Sequence, residues 1–177
     1  MTSTTNQLSA VNLDEVSAVA NNGLQYAFTK TSKLKTLSMP KLTTATGTYC
    51  LAHMLYQSTG IEEVNLSALS SASSSYSMYY AFYQCTKLKK VYLNKLSNVG
   101  TYGLNYTFNG CTALQLVDFS QATAVPTLSN TNAFANTNST YKIVVPDDLY
   151  SSWIAASNWS NSSIKSHIVK VSEYTYT

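Results

Sequence analysis

The sequence predicts an α/β solenoid of about six stacked turns, each 26–27 residues long, with the first and last turns incomplete. Three observations lead there. Phe28, Leu55, Phe82, Phe108 and Phe134 are spaced 27, 27, 26 and 26. Behind that column Leu34, Ile61, Leu88 and Leu114 keep the same steps, as do Leu37, Val64, Val91, Val117 and Ile143. Within each unit the apolar spacing switches from a helix-like period to a strand-like one, as it must where two kinds of element alternate.

The strand comes from stretches such as LKKVYLNKL (88–96), where Val91 and Leu93 stand two apart on one face. Met39, Leu66, Leu93, Phe119 and Val145 repeat the second of these positions, and Leu42, Leu69 and Leu96 close the unit. Projecting Leu34, Leu37, Met39 and Leu42 back by 26 residues lands on Leu8, Val11, Leu13 and Val16, an incomplete first turn. The other half of the unit places Met78, Ala81, Phe82 and Cys85 at i, i+3, i+4 and i+7, a helical stripe. Leu24, Ala27, Phe28 and Thr31 repeat it, as do Leu104, Thr107, Phe108 and Cys111. Such a helix is too short to stand alone, so it is expected to dock on the strands. Strand, turn, short helix and turn, stacked in parallel, make a leucine-rich repeat solenoid, with a parallel β-sheet on the concave face and short helices on the convex face.

The unit AFYQCTKLKKVYLNKL (81–96) resembles the BspA-type leucine-rich repeat, whose pattern is close to AFxxCxxLxxIxIPxxV. Cys85 and Cys111 occupy the family's cysteine column, and Pro40 and Pro146 its proline column. The resemblance runs from about Leu8 to Pro146; Thr31, Ser58 and Thr137 replace the cysteine elsewhere, and the units are slightly longer than the family's. It implies a non-enzymatic surface module, adhesive to a host protein or glycan. The alternative is a structural virion or assembly protein, a phage tail or capsid decoration.

Residues 1–146 are read as the solenoid and 147–177 as a C-terminal cap. VVPDDLYSSWIAASNWS (144–160) leaves the repeat and predicts an amphipathic helix beginning near Pro146 and Asp147. Leu149, Tyr150, Trp153 and Ile154 can share one face, with Trp153 and Trp159 as plugs for the open end of the core. HIVKV (167–171) is a candidate final strand. The segment resembles the closing part of short leucine-rich repeat proteins from gut bacteria and their phages.

Composition narrows the partners. Hydrophobic residues make up 45% and charged residues only 11% of the chain, against a usual charged share of about 25%. The polar surface must therefore come from Ser, Thr, Asn, Gln and Tyr, which suits an extracellular, cell-surface or virion location. The net charge of +3 is spread out, with Lys33, Lys35, Lys87, Lys89 and Lys90 the only mild clusters; nucleic acid is not an expected partner. No apolar run reaches the roughly 18–20 residues of a membrane span, so membrane insertion is not expected. MTSTTNQLSAVNL lacks the basic and apolar regions of a signal peptide. An open parallel edge on the first turn invites pairing, so an upstream segment or self-association through the N-terminal edge is expected.

Candidate chemical groups are weighed against packing. Cys85 and Cys111 end the inward stripe, where a free cysteine behaves as a small buried hydrophobe. A disulfide or metal site is the alternative, without CxxC or HxxxH spacing to support metal, and Cys50 lies outside the column. His53 falls in the column of Tyr26, Tyr80 and Tyr106, four units from His167, so no catalytic pair is expected. Glu62 with Glu63, and Asp147 with Asp148, are adjacent carboxylates without the fixed separation of glycosidase chemistry. No glycine-rich phosphate loop is present, and neither an enzyme nor a cofactor is expected. Tyr49, Tyr76 and Tyr102 form a second tyrosine ladder, read either as stacked shielding of the core or as a recognition surface. The default contact surface of a solenoid is its concave face. There the outward columns are Thr36, Glu63, Lys90, Leu116 and Lys142, and Ser38, Asn65, Tyr92 and Asp118 after Asn12.

Overall fold

The computed structural model of the chain describes residues 7–177. Residues 1–6, the first part of the segment read for a signal peptide, lie outside the described residues. Six strands form one parallel sheet, a strand from each successive turn: β2 (Thr36–Ser38), β4 (Glu63–Asn65), β6 (Lys90–Tyr92), β8 (Leu116–Asp118), β9 (Lys142–Val145) and β10 (Ile168–Lys170). The register sets Leu37, Val64, Val91, Val117, Ile143 and Ile168 side by side, and all six are buried. The column predicted from the repeat is thus one row of the core. HIVKV supplies the sheet's last strand, as expected.

A second parallel sheet was not foreseen. It stacks β1 (Ala18–Val19), β3 (Thr44–Ala45), β5 (Ser71–Ala72) and β7 (Asn98–Val99), in that order. Its strands are two residues long, below the length at which a period-two pattern can be seen in a sequence. Val19, Ala45, Ala72 and Val99 point into the core from it.

The solenoid class stands, but the convex arc is not helical; apart from a 3-10 turn at Thr131–Phe134, it is a run of successive turns. In the third complete arc the N–H groups of Tyr80, Phe82 and Gln84 donate to Asn105, Thr107 and Asn109 of the next turn, at 3.1, 3.0 and 2.8 Å. Between them Ala81, Tyr83 and Cys85 donate three residues back, to Met78, Tyr80 and Phe82. Every second donor therefore leaves its own turn, which a helix cannot allow. Every fourth residue takes a left-handed conformation, with φ of 59°, 54° and 54° at Tyr76, Tyr80 and Gln84. Met78, Ala81, Phe82 and Cys85 are still fully buried. The spacing correctly marks which residues face inward and misidentifies the backbone that turns them there.

The C-terminal end carries α1 (Tyr150–Ala155) and α2 (Ser162–Lys165). Trp153 and Trp159 are buried over the last turns, their rings 5.3 and 6.0 Å from Phe119. The Trp159 indole N–H donates to the Pro126 carbonyl at 2.8 Å. Leu149, Tyr150 and Ile154 pack partly buried against the same core. At the other end Leu8, Val11, Leu13 and Val16 also pack against the core, without forming a strand.

Candidate recognition surface

In the six-stranded sheet, residues flanking each inward side chain point to the outer face. The register places Thr36, Glu63, Lys90, Leu116 and Lys142 in one row, and Ser38, Asn65, Tyr92, Asp118 and Val144 in the next. The sequence-predicted contact residues are therefore gathered on one surface. Their neighbours change from turn to turn in charge, size and polarity, while the inward row repeats the same apolar type.

Two of these positions also have a structural task. Asn65 and Asp118 accept the backbone N–H of Ser67 and Ser120, at 3.0 and 2.8 Å, fixing the turn that leaves the strand. Asn12 does the same for Asp14 at 2.9 Å. An asparagine or aspartate in this column is explained by backbone geometry before any ligand is invoked.

The surface is open over its first half and closed over its second. Thr36 is exposed, and Ser38, Glu63, Asn65, Lys90, Tyr92 and Lys142 are partly exposed. Leu116 and Asp118 retain only 2% exposure and Val144 none, although Leu116 and Val144 lie outside the core cluster. The segment after β10 comes down beside Lys90 and Asp118. The Lys90 ammonium contacts the Thr177 carbonyl. The Tyr176 hydroxyl reaches the Asp118 carboxylate and the Ser120 side chain, and Tyr174 sits near Asp118 and Tyr92. The two tail rings meet edge to face at 4.9 Å. Burial, with the Asp118 charge adding, pushes the Tyr176 phenol up to about 12. Burial likewise raises Tyr92, beside Glu63, Asp118 and Tyr174. Tyr174 and Tyr176 escaped the repeat-based reading. The alternation in EYTYT, aromatics two apart, is the one signal that marks an extended segment there.

The convex side carries both tyrosine ladders. Tyr26, His53, Tyr80 and Tyr106 stack at 4.5, 5.3 and 4.6 Å between centroids; Tyr49, Tyr76 and Tyr102 stack at 5.1 Å per step. All seven residues are left-handed, with φ between 54° and 59°, a conformation that costs a bulky residue about 1–2 kcal/mol. Stacking and inter-turn hydrogen bonds hold them there. Because neighbouring rings cover one another's faces, mainly their edges and hydroxyls remain for solvent. The structural reading of the ladders is favoured. His53 is one rung of the stack, and burial holds its imidazole below the ordinary 6.5.

The thiols are in equally structural surroundings. Cys50, Cys85 and Cys111 are buried and free. Burial raises all three, Cys111 to about 12, so the thiolate needed for nucleophilic attack is suppressed. Among the described residues no group of three or more His, Cys, Asp or Glu could hold a metal ion. No helix among them is long and apolar enough to cross a membrane.

The profile of the family described as "BspA type Leucine rich repeat region" matches residues 21–124 in six copies, more than half of the chain. No curated protein and no solved structure matches it.

Proposed function

Since the chain belongs to the BspA-type leucine-rich repeat family, we propose that it is a non-enzymatic adhesion module that binds a host protein or glycan at a cell or virion surface. The observation that supports this is the contrast between the two faces of the six-stranded sheet. The inward row is uniformly apolar, whereas Thr36, Glu63, Lys90 and Ser38, Asn65, Tyr92 present a different group at almost every step. Position-by-position variation on a regular frame is what a specific recognition surface requires. The open half of this face, centred on Glu63 and Asn65, is the proposed contact area. The test is binding of the labelled chain to arrays of glycans and extracellular host proteins, repeated with Glu63→Ala and with Asn65→Asp, which keeps the side-chain oxygen that caps Ser67. Loss of a saturable signal in these variants supports the reading; the same signal in every variant counts against it.

One observation favours assembly as a second reading. Among the described residues β2 ends the six-stranded sheet, with β4 as its only strand neighbour. An unpaired parallel edge is a template for another chain. A virion or assembly subunit would self-associate in sedimentation experiments, whereas an adhesin stays monomeric and binds its target.

A further inference from the structure

The outward positions of a solenoid sheet are ordinarily wet, yet Leu116, Asp118 and Val144 are almost completely buried. Beside Asp118 and Lys90 lies the chain's own segment 174–177; the residues before it, Val171–Glu173, form a 3-10 turn anchored by the Ser172 N–H donating to Asp147 at 3.1 Å and by the Lys170–Glu173 ion pair at 3.2 Å. The Thr177 carbonyl accepts from Lys90, the Tyr176 hydroxyl reaches Asp118 and Ser120, and Tyr174 sits beside Asp118. Segment residues remain accessible themselves: Tyr176 is 49% exposed, and Thr175 and Thr177 are exposed. This part of the face carries two apolar side chains (Leu116, Val144), one buried carboxylate (Asp118) and one lysine (Lys90).

We propose that the second half of the outer sheet face is a peptide-binding site for an extended partner segment bearing tyrosines two residues apart, and that residues 174–177 are its built-in, displaceable occupant. The inference deepens the binding role proposed above and rests on that reading. The occupant displays the chemistry the site accepts. Two tyrosines two residues apart lie on one side of an extended chain. One of their hydroxyls lies in reach of the Asp118 carboxylate, which can accept from it. Lysine takes the backbone carbonyl that follows. Tethering gives the tail a high local concentration, so a free peptide competes poorly until the tail's own anchors are weakened.

The test uses a fluorescein-labelled peptide of sequence VSEYTYT, residues 171–177, with the full chain. The double variant Tyr174→Ser/Tyr176→Ser should bind it saturably and at least about tenfold more tightly than the unmodified chain. Adding Asp118→Asn should abolish that gain without unfolding the protein, since Asn12 and Asn65 already hold the same turn in this column. A peptide with both tyrosines replaced by serine should not bind. Absence of binding by a folded double variant, or equal binding of the serine peptide, overturns the proposal. If the double variant does not fold, hydrogen exchange on the unmodified chain decides. Amides of 174–177 exchanging many times faster than those of Ile168–Lys170 support a displaceable tail, and equal protection overturns it. Dimerisation of the unmodified chain that disappears in the double variant would make the occupant a second copy and also overturn it. None of these outcomes alters the Glu63 and Asn65 experiment, so failure here is distinguishable from failure of the binding role.

Discussion

The Cys85 thiol donates to the carbonyl of Leu55, in the preceding turn, at 3.0 Å. Cys111 makes the equivalent bond to Phe82 at 3.1 Å, and Ser58 to Phe28 at 2.6 Å. Thr31 and Thr137 donate to Phe28 and Phe134 of their own turns. The column therefore requires a small side chain with a donor, which is why cysteine, serine and threonine interchange there. Cysteine combines that donor with apolar bulk.

Cys85→Ser keeps the donor and should leave any ligand binding unchanged while lowering stability slightly. Cys85→Ala removes this donor and opens space, while the Leu55 carbonyl keeps the Ser58 N–H at 2.9 Å, so it should cost more than Cys85→Ser, by about 0.5–1.5 kcal/mol. Chemical unfolding of both variants gives the comparison. Alkylation by iodoacetamide should be slow for all three thiols until the chain unfolds, because burial raises each of them.

Phe82 is fully buried, its ring 5.6 Å from Phe108. Phe82→Ala should destabilise the chain by about 3–5 kcal/mol through the cavity it leaves. A loss below about 1 kcal/mol in urea titration would mean the site collapses freely, contrary to a close-packed solenoid interior.

Two glycines should respond differently. A Cβ on Gly60 would lie 2.3 Å from the backbone oxygen of Ser32 in the preceding turn, so Gly60→Ala must push two turns apart. The expected cost is about 1–3 kcal/mol. Gly110 is left-handed, with φ of 76°, but Lys30, Gln57 and Gln84 hold the same column with φ of 54–58° and side chains in place. Its Cβ would meet the flexible Gln84 side chain first. Gly110→Asn should therefore cost less than Gly60→Ala, as thermal unfolding can measure.

His53 gives the chain a pH response. Its pKa in the folded state lies below the ordinary 6.5 because of burial, so the unfolded chain takes up the proton first. Stability from this group is complete above about 6.5 and falls as pH drops through that value towards the folded one. His53→Tyr should remove this part of the loss and extend the tyrosine stack. Glu62, held low chiefly by its hydrogen bond from Lys89 and also by Lys35, acts in a separate window. Its contribution is present above the ordinary 4.5 and is lost as pH falls below it. Unfolding temperatures from pH 8 to pH 5 should thus separate the parent from His53→Tyr, measured in the range where histidine titrates and most carboxylates are already ionised.

The inward frame was legible because its columns obey two constraints at once. Leu37, Val64, Val91, Val117 and Ile143 share both a turn-to-turn spacing and a strand face, and they become one buried row. The convex backbone was not legible. Tyr26, His53, Tyr80 and Tyr106 adopt left-handed φ without being glycine, so the usual marker of that conformation is missing. Their stripe reads as helical, since only a hydrogen bond to the adjacent turn separates the two. The outer face was legible by position and not by access. Nothing in the repeat indicates that Tyr174 and Tyr176, which lie beyond it, fold back beside Asp118.

The most direct test of the account is attachment of the protein to its target surface, compared between one change on the sheet and one on the convex arc. Glu63→Lys reverses a charge on the open outer face, and Tyr102→Ser removes the 42% exposed terminal ring of a convex ladder. With both variants folded, attachment should be lost in Glu63→Lys and retained in Tyr102→Ser. Loss in Tyr102→Ser with full retention in Glu63→Lys would contradict recognition by the sheet and assign it to the tyrosine wall.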